Sequence, residues 1–288
     1  MSGDAQIIAR GFQRYDGDRS GEAGAIRSVA WQSIRATLGL GRLARYKIFP
    51  MAAITIAYLP AVVFVGLAVL VGDILDPQEV ADYPGYYGFI TLAIILFAAL
   101  VAPEVLVSDR RNGMLALYLS TPLRRSTYLA AKGIAVGATL ALVTFFPPLL
   151  VLIGYTIDGY GPDGPVNWLI ALVRIALSGF AVSAALTAVS MAASSLTDRR
   201  AFAAIGVVLV AMATPALAAA LVEGAGLSPN WRLIDVFSMP FELVYRIFGE
   251  AGEYPELSTW SVLAVNLAWT VGGLAVVVWR YSKLVIAR

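Results

Sequence analysis

Residues 108–132 read SDRRNGMLALYLSTPLRRSTYLAAK and lie between two hydrophobic runs, each long enough to cross a bilayer. A plain connector needs only a few polar residues. This one holds a charged cluster, an apolar segment opened by Gly113, a Ser-Thr-Pro stop and a second basic pair. An ordered segment of that kind next to a membrane implies a task, and its flanks define the fold.

A helix needs ~20 mostly apolar residues to span the hydrocarbon core. Six segments meet this, at about 51–71, 86–107, 130–156, 167–194, 201–222 and 260–281. The chain has 288 residues, 59% hydrophobic and 14% charged, with a mean hydropathy of +0.76, well above that of soluble domains. The expected fold is therefore an all-α membrane protein of six transmembrane helices. Its two parts are a segment 1–49 and a six-helix body 50–288. Pro60, Pro103, Pro147, Pro148 and Pro215 fall within spans, where neighbouring helices can satisfy the backbone groups they free. The Pro147–Pro148 pair is the foremost kink candidate.

Charge sets the orientation. Of the 21 Lys and Arg residues, all but Arg174, Arg232 and Arg246 fall on one side of this six-span arrangement. They cluster before span 1, between spans 2 and 3 and between spans 4 and 5, and after span 6. The opposite loops carry Asp73, Asp76, Glu79, Asp82, Asp158 and Asp163. The positive-inside rule places both termini in the cytoplasm. The first residues lack an apolar h-region, so no cleavable signal peptide is expected. The abundance of Ala and of Arg over Lys fits a GC-rich bacterial genome.

Residues 26–49 mix apolar and basic positions at helical spacing, with Ile26, Val29, Trp31, Ile34 and Leu38 on one broad face. This predicts an interfacial elbow helix before Pro50. Between spans 5 and 6, NWRLIDVFSMPFELVYRIFGE is too apolar for a free loop and predicts two short amphipathic helices broken at Pro240, which either dip into the outer leaflet or cap the bundle on its outer side. Gly133 and Gly137 form a GxxxG, read as close packing within the chain. Arg174 lies inside span 4, where a charge is costly. It either snorkels to the outer interface or pairs with Asp158 or Asp163, or else it contacts substrate.

The sequence has no Cys and no His, which removes thiol, zinc and His-triad chemistry. No GxxxxGK[ST], HExxH or GxSxG occurs. The chain does not read as an enzyme, nothing suggests a nucleic-acid partner, and no cofactor is expected on it.

Extended back to Glu104, the stretch APEVLVSDRRNGMLALYLSTPLRRSTYLAAK resembles the signature of bacterial ABC-2 type transporter permeases. Glu104, Asp109 with Arg110, Gly113, Leu115 to Leu119, Thr121 with Pro122, and Lys132 stand at that signature's places. Asp109 replaces a more usual Glu, and Met114 and Ala116 replace a Thr and a Glu. The resemblance implies that the 2–3 connector is a coupling helix seated on a separate nucleotide-binding subunit, which would carry the ATP and Mg. It also implies a second permease (identical or related), export by alternating access and a place in the plasma (inner) membrane of a bacterium. Glu104, Asp109, Arg110, Gly113, Met114, Leu115, Tyr118, Leu119, Thr121 and Pro122 are then the coupling candidates. Met114, Leu115, Tyr118 and Leu119 form the apolar face, and Arg124 and Arg125 anchor span 3 to headgroups. Arg174, Pro147 and Pro148 are the candidates for substrate contact or gating. The rival reading is a non-transporting membrane scaffold or signalling subunit that docks a cytoplasmic partner through the same loop.

Overall fold

The computed structural model describes residues 21–71, 74 and 82–283. Arg10, Arg14, Arg19, Asp73, Asp76, Glu79 and Arg288, used in the charge argument, lie outside the described residues. Among the described residues there is no strand. Six helices are long and apolar enough to span a membrane: Ile48–Leu70, Tyr86–Arg111, Arg125–Ile157, Gly164–Leu196, Arg200–Gly224 and Thr259–Ser282. Each contains or closely overlaps one of the six segments read from hydropathy. Ten helices are labelled here: α1 (Gly21–Thr37), α2 (Ile48–Val71), α3 (Tyr86–Arg111), α4 (Met114–Leu119), α5 (Arg125–Thr144), α6 (Phe146–Ile157), α7 (Gly164–Leu196), α8 (Arg200–Ala219), α9 (Met239–Phe248) and α10 (Thr259–Ser282).

The bundle is built around α7, which packs on α5, α8, α9 and α10. Its facing side is made of small residues, including the buried Ser178, Gly179, Ser183, Thr187, Ser190 and Ser194. Small side chains let helices approach closely in a membrane, where packing replaces the hydrophobic drive. Ser190 and Ser194 donate back to the carbonyls of Leu186 and Ser190, at 2.6 and 2.7 Å, so these hydroxyls cost little when buried. A Cβ on Gly273 of α10 would stand 3.0 Å from that of Ala188, which shows how near α10 lies to α7.

The Pro147–Pro148 pair breaks the third span, as expected. α5 stops at Thr144, Phe145 takes φ −104° and ψ −49°, and α6 restarts at Phe146. Pro148 has no N–H to give to the carbonyl four residues earlier, that of Thr144. The buried Tyr87 hydroxyl of α3 donates to that carbonyl instead, at 2.8 Å. The Thr144 hydroxyl in turn donates to the Gly179 carbonyl at 3.1 Å. A side chain at Gly179 would meet the Phe145 backbone at 2.9 Å, so the kink is seated on a glycine. Tyr87→Phe strands a buried carbonyl and is expected to lower stability by about 1–3 kcal/mol, read from thermal unfolding in detergent.

The segment before the first span is shorter and less regular than predicted. α1 ends at Thr37, turns follow, a 3-10 turn covers Ala44–Tyr46, and α2 begins at Ile48 with Pro50 in its first turn. The face of α1 also differs: Val29, Ala30, Ser33 and Thr37 are buried against α5, whereas Trp31 is 60% exposed. Trp31 thus stands apart from the packed side. Helical spacing gave a broad stripe, but only contact with α5 decided which part of it is covered.

The 5–6 connector does form a cap, with one correction. Its first element is a 3-10 helix, Pro229–Ile234, and its second is α9. Pro240 sits in the first turn of α9, where its missing N–H is no loss, and so starts the helix rather than breaking it. The interruption comes from Asp235, whose buried carboxylate accepts from the N–H groups of Phe237 (3.0 Å) and Ser238 (2.9 Å) and from the Thr214 hydroxyl of α8 (3.1 Å). Asn266 of α10 donates to the Met239 carbonyl at 2.9 Å. Within the cap, Arg246 pairs with the buried Glu242 at 2.8 Å and donates to the Tyr254 carbonyl at 2.8 Å. The cap is therefore fixed to both α8 and α10.

Candidate functional site

The quoted stretch lies at one end of the bundle, together with the end of α7, the start of α8 and the end of α10. This end also carries the basic loops. α3 reaches it through a π-turn at Pro103–Val107, which begins at a proline that cannot donate within the ladder. α3 finishes at Arg111, and Gly113 then takes φ +66°, a left-handed conformation that glycine adopts without penalty. The chain turns there into α4. The hydroxyls of Ser120 and Thr121 donate to the carbonyls of Leu117 (2.7 Å) and Tyr118 (2.5 Å), closing α4 before Pro122.

The three charged candidates at the end of α3 are spent inside the chain. Glu104 pairs with Arg42, in the turn after α1, and with Arg200 at the start of α8, the latter at 2.6 Å. Arg200 sits at a helix N-terminus, where a cation is unfavourable, and the Glu104 carboxylate offsets it. Asp109 accepts from Lys132 Nζ at 2.6 Å and from the Tyr128 hydroxyl at 3.0 Å. The Lys132 side chain is 3% exposed; its Nζ also donates to Ser33 Oγ of α1 at 2.9 Å and lies 5.1 Å from the Tyr118 ring centre. This buried ammonium thus has a carboxylate, a hydroxyl and an aromatic ring around it.

Arg110 is similarly occupied. Its guanidinium donates to the carbonyls of Ser194 and Ser195, both at 2.6 Å, and to that of Thr197. These are among the carbonyls that a helix end leaves open, so Arg110 caps α7. The planar fork suits several acceptors at once, which a lysine could not match. It also stacks over the Tyr281 ring of α10, 5.7 Å from its centre. Arg125, expected at headgroups, instead donates to the Ser282 carbonyl at 3.0 Å and caps α10. Together these contacts lock the end of α3 to α1, α5, α7, α8 and α10.

α4 behaves differently, since none of its residues is buried. Leu115 and Tyr118 pack partly on the core of the same chain, and Met114 and Leu119 are half-buried. The apolar side chain that faces outward is Leu117, 59% exposed, beside exposed Ala116, Ser120, Thr121 and Pro122. The four-residue face read from spacing is thus turned largely inward. Sequence reasoning missed Leu117 as the outward residue, and it missed Arg42, Arg200, Ser33 and Tyr128 as partners. Tyr128 alone had a local signal, since it precedes Lys132 by one helical turn.

At the opposite end, Arg174 forms an ion pair with neither Asp158 nor Asp163. Its guanidinium lies 5.9 Å from the centre of the Phe248 ring in the cap. Glu250 is nearby: burial and the Asp82 carboxylate push its pKa up, and Arg174 opposes the shift. Arg174 therefore faces the cap and its acidic neighbours. Among the described residues, no cluster of carboxylates has the makings of a metal site.

A six-helix bundle of this length and composition has the architecture of a multi-pass membrane protein. Residues 75–280 match the family described as ABC-2 family transporter protein, and the chain belongs to that family. The match begins after α2, so α1 and the first span lie before it. It is thus a membrane component of an ATP-binding-cassette transporter, whose members work with an ATP-binding-cassette subunit. A comparison with curated proteins gave no match.

Proposed function

We propose that this chain is the permease subunit of a bacterial ATP-binding-cassette exporter and that α4 is its coupling helix. The observation that carries this reading is the contrast at the foot of α3. Its charged residues are consumed in bracing, while the short helix beyond Gly113 leaves Leu117 exposed on a support tied to five other helices. A partner pressing on α4 moves that support as a unit. On this reading a separate subunit binds ATP and Mg and hydrolyses ATP, and a second permease copy or relative completes the pathway. Alternating access then follows from rocking of the two permeases. α1 serves as the elbow, held to α5 through Ser33 and Lys132. Phe145, next to Pro147 and Pro148, is the candidate hinge, and Arg174 under the cap is the candidate gate contact.

The test is co-expression with a Walker-motif ATPase encoded beside this chain. The two should co-purify, and candidate substrates should raise ATPase activity in a lipid environment. Co-purification with an ATPase that no substrate stimulates would favour the scaffold reading. Orientation is tested separately. The basic end is expected to face the cytoplasm, so a reporter fused after the last residue should be internal and one inserted near Gly161 external. Finding both on the same side overturns the arrangement.

A further inference from the structure

On the flank formed by α5, α7 and α10, a crevice of about 850 Å³ opens toward the surface that faces lipid. α5 and α10 both lean on α7 and touch each other little, so the crevice is the slot between them. Its lining runs from Ser126 to Phe145, which is about 28 Å of helix at 1.5 Å per residue. That is close to the ~30 Å thickness of the hydrocarbon core, so the half toward the basic end corresponds to one leaflet. The lining has no charged side chain and is made of Ala, Gly, Leu, Ile, Val, Phe and Met with a few hydroxyl residues.

The lining and the mouth together indicate what fills it. The lining is apolar along a length close to that of the hydrocarbon core. The mouth at the basic end is flanked by cations. The Arg125–Ser282 bond joins the start of α5 to the end of α10, which sets Arg124 and Lys283 on either side of it, with Arg280 one turn back. Among the described residues, no carboxylate pairs with Arg124, Arg280 or Lys283. A helix of a second copy is a poorer occupant, because the close-approach glycines are already taken. A Cβ on Gly133 would stand 3.7 Å from Met191 Sδ, and one on Gly137 3.4 Å from Thr187 Oγ1, both within this chain. A slot open to the bilayer cannot stay empty without forfeiting dispersion contacts along its lining.

We propose that the crevice is a binding site for an anionic phospholipid. One acyl chain lies along Ile134, Ala138 and Ala184, and the phosphate group sits at Arg124 and Lys283. The volume falls within the ~300–1,000 Å³ range of sites that enclose a small ligand. The anionic headgroup supplies the charge that the mouth lacks. The proposal requires only that the chain spans a membrane. Its failure would leave the transport reading intact, and failure of the transport reading would leave it standing.

The test is native mass spectrometry of the detergent-purified chain with equimolar phosphatidylglycerol and phosphatidylcholine of identical acyl chains. The wild-type chain should retain one phosphatidylglycerol in preference. Ala184→Trp fills the crevice from its floor and should reduce retention of both lipids at least tenfold. Ala138→Trp fills it from the exposed rim, where folding is least disturbed, and should do the same. Leu267→Trp, on an exposed part of α10 outside the lining, should change nothing. Arg124→Gln with Lys283→Gln should keep chain binding but lower the preference for phosphatidylglycerol by about fivefold per charge removed. Retention unchanged in both tryptophan variants overturns the proposal. If those variants instead turn a dimer into a monomer with lipid retention unchanged, the crevice is an interface between copies and the proposal is also overturned.

Discussion

Asp109→Ala is expected to destabilise the chain by about 3–5 kcal/mol, the scale of loss when one partner of a buried ion pair is removed. The cause is what remains. Lys132 would be left without its carboxylate in a site where its side chain is 3% exposed, with only the Ser33 hydroxyl and two aromatic faces for company. The Tyr128 hydroxyl would lose its acceptor as well. The readout is the midpoint of thermal unfolding in detergent, together with membrane yield. A second variant separates charge from packing. In Asp109→Asn with Lys132→Met, an amide oxygen at 109 still accepts from Tyr128 and no buried cation is left. That pair should recover most of the stability, since replacing both members of a buried pair is often near neutral. If the single substitution costs no more than about 1 kcal/mol, the cluster is more solvated than its geometry shows and is not the brace of α3.

Leu117→Glu tests the other half of the foot. Leu117 is largely exposed, so the change should leave unfolding within about 0.5 kcal/mol of wild type. In a complex with the ATPase subunit it would replace an apolar contact worth roughly 1.5–3 kcal/mol with a carboxylate that must be desolvated. Affinity for that subunit should fall at least tenfold, and transport with it. Leu115→Glu is the informative contrast, because Leu115 packs on the chain's own core. It should lower stability and yield whether or not a partner is present. Intact co-purification and substrate-stimulated ATPase activity in Leu117→Glu would mean that α4 is not the coupling surface.

The two variants at 115 and 117 mark the limit of what helical spacing conveys. Period alone places Met114, Leu115, Tyr118 and Leu119 on one face of a short helix. It does not say whether that face meets a partner or the body from which the helix projects. Gly113 is the opposite case. A helix end followed by glycine and a new apolar run already implies a left-handed turn, and φ is +66° there. The Pro147–Pro148 kink was equally legible, because the missing N–H groups act within four residues. The six spans were legible for a comparable reason: the bilayer acts as a solvent on each helix separately, so length and composition suffice.

What the sequence did not disclose is where the charges at the end of α3 go. Glu104, Asp109 and Arg110 stand in the sequence as coupling candidates, yet their partners lie 62 and 96, 23 and 19, and 84 to 87 residues away in the same chain. The same holds for the Tyr87 hydroxyl, whose acceptor at Thr144 is 57 residues distant. Local physics fixed the six spans, the breaks at Gly113 and at Pro147–Pro148 and the segregation of charge to one end, since each depends on neighbours in the chain and on the solvent. Only the packed bundle decided which charges are consumed in holding that end together and which face is left open, because a buried cation or an orphaned carbonyl takes whatever partner the tertiary structure brings within about 3 Å.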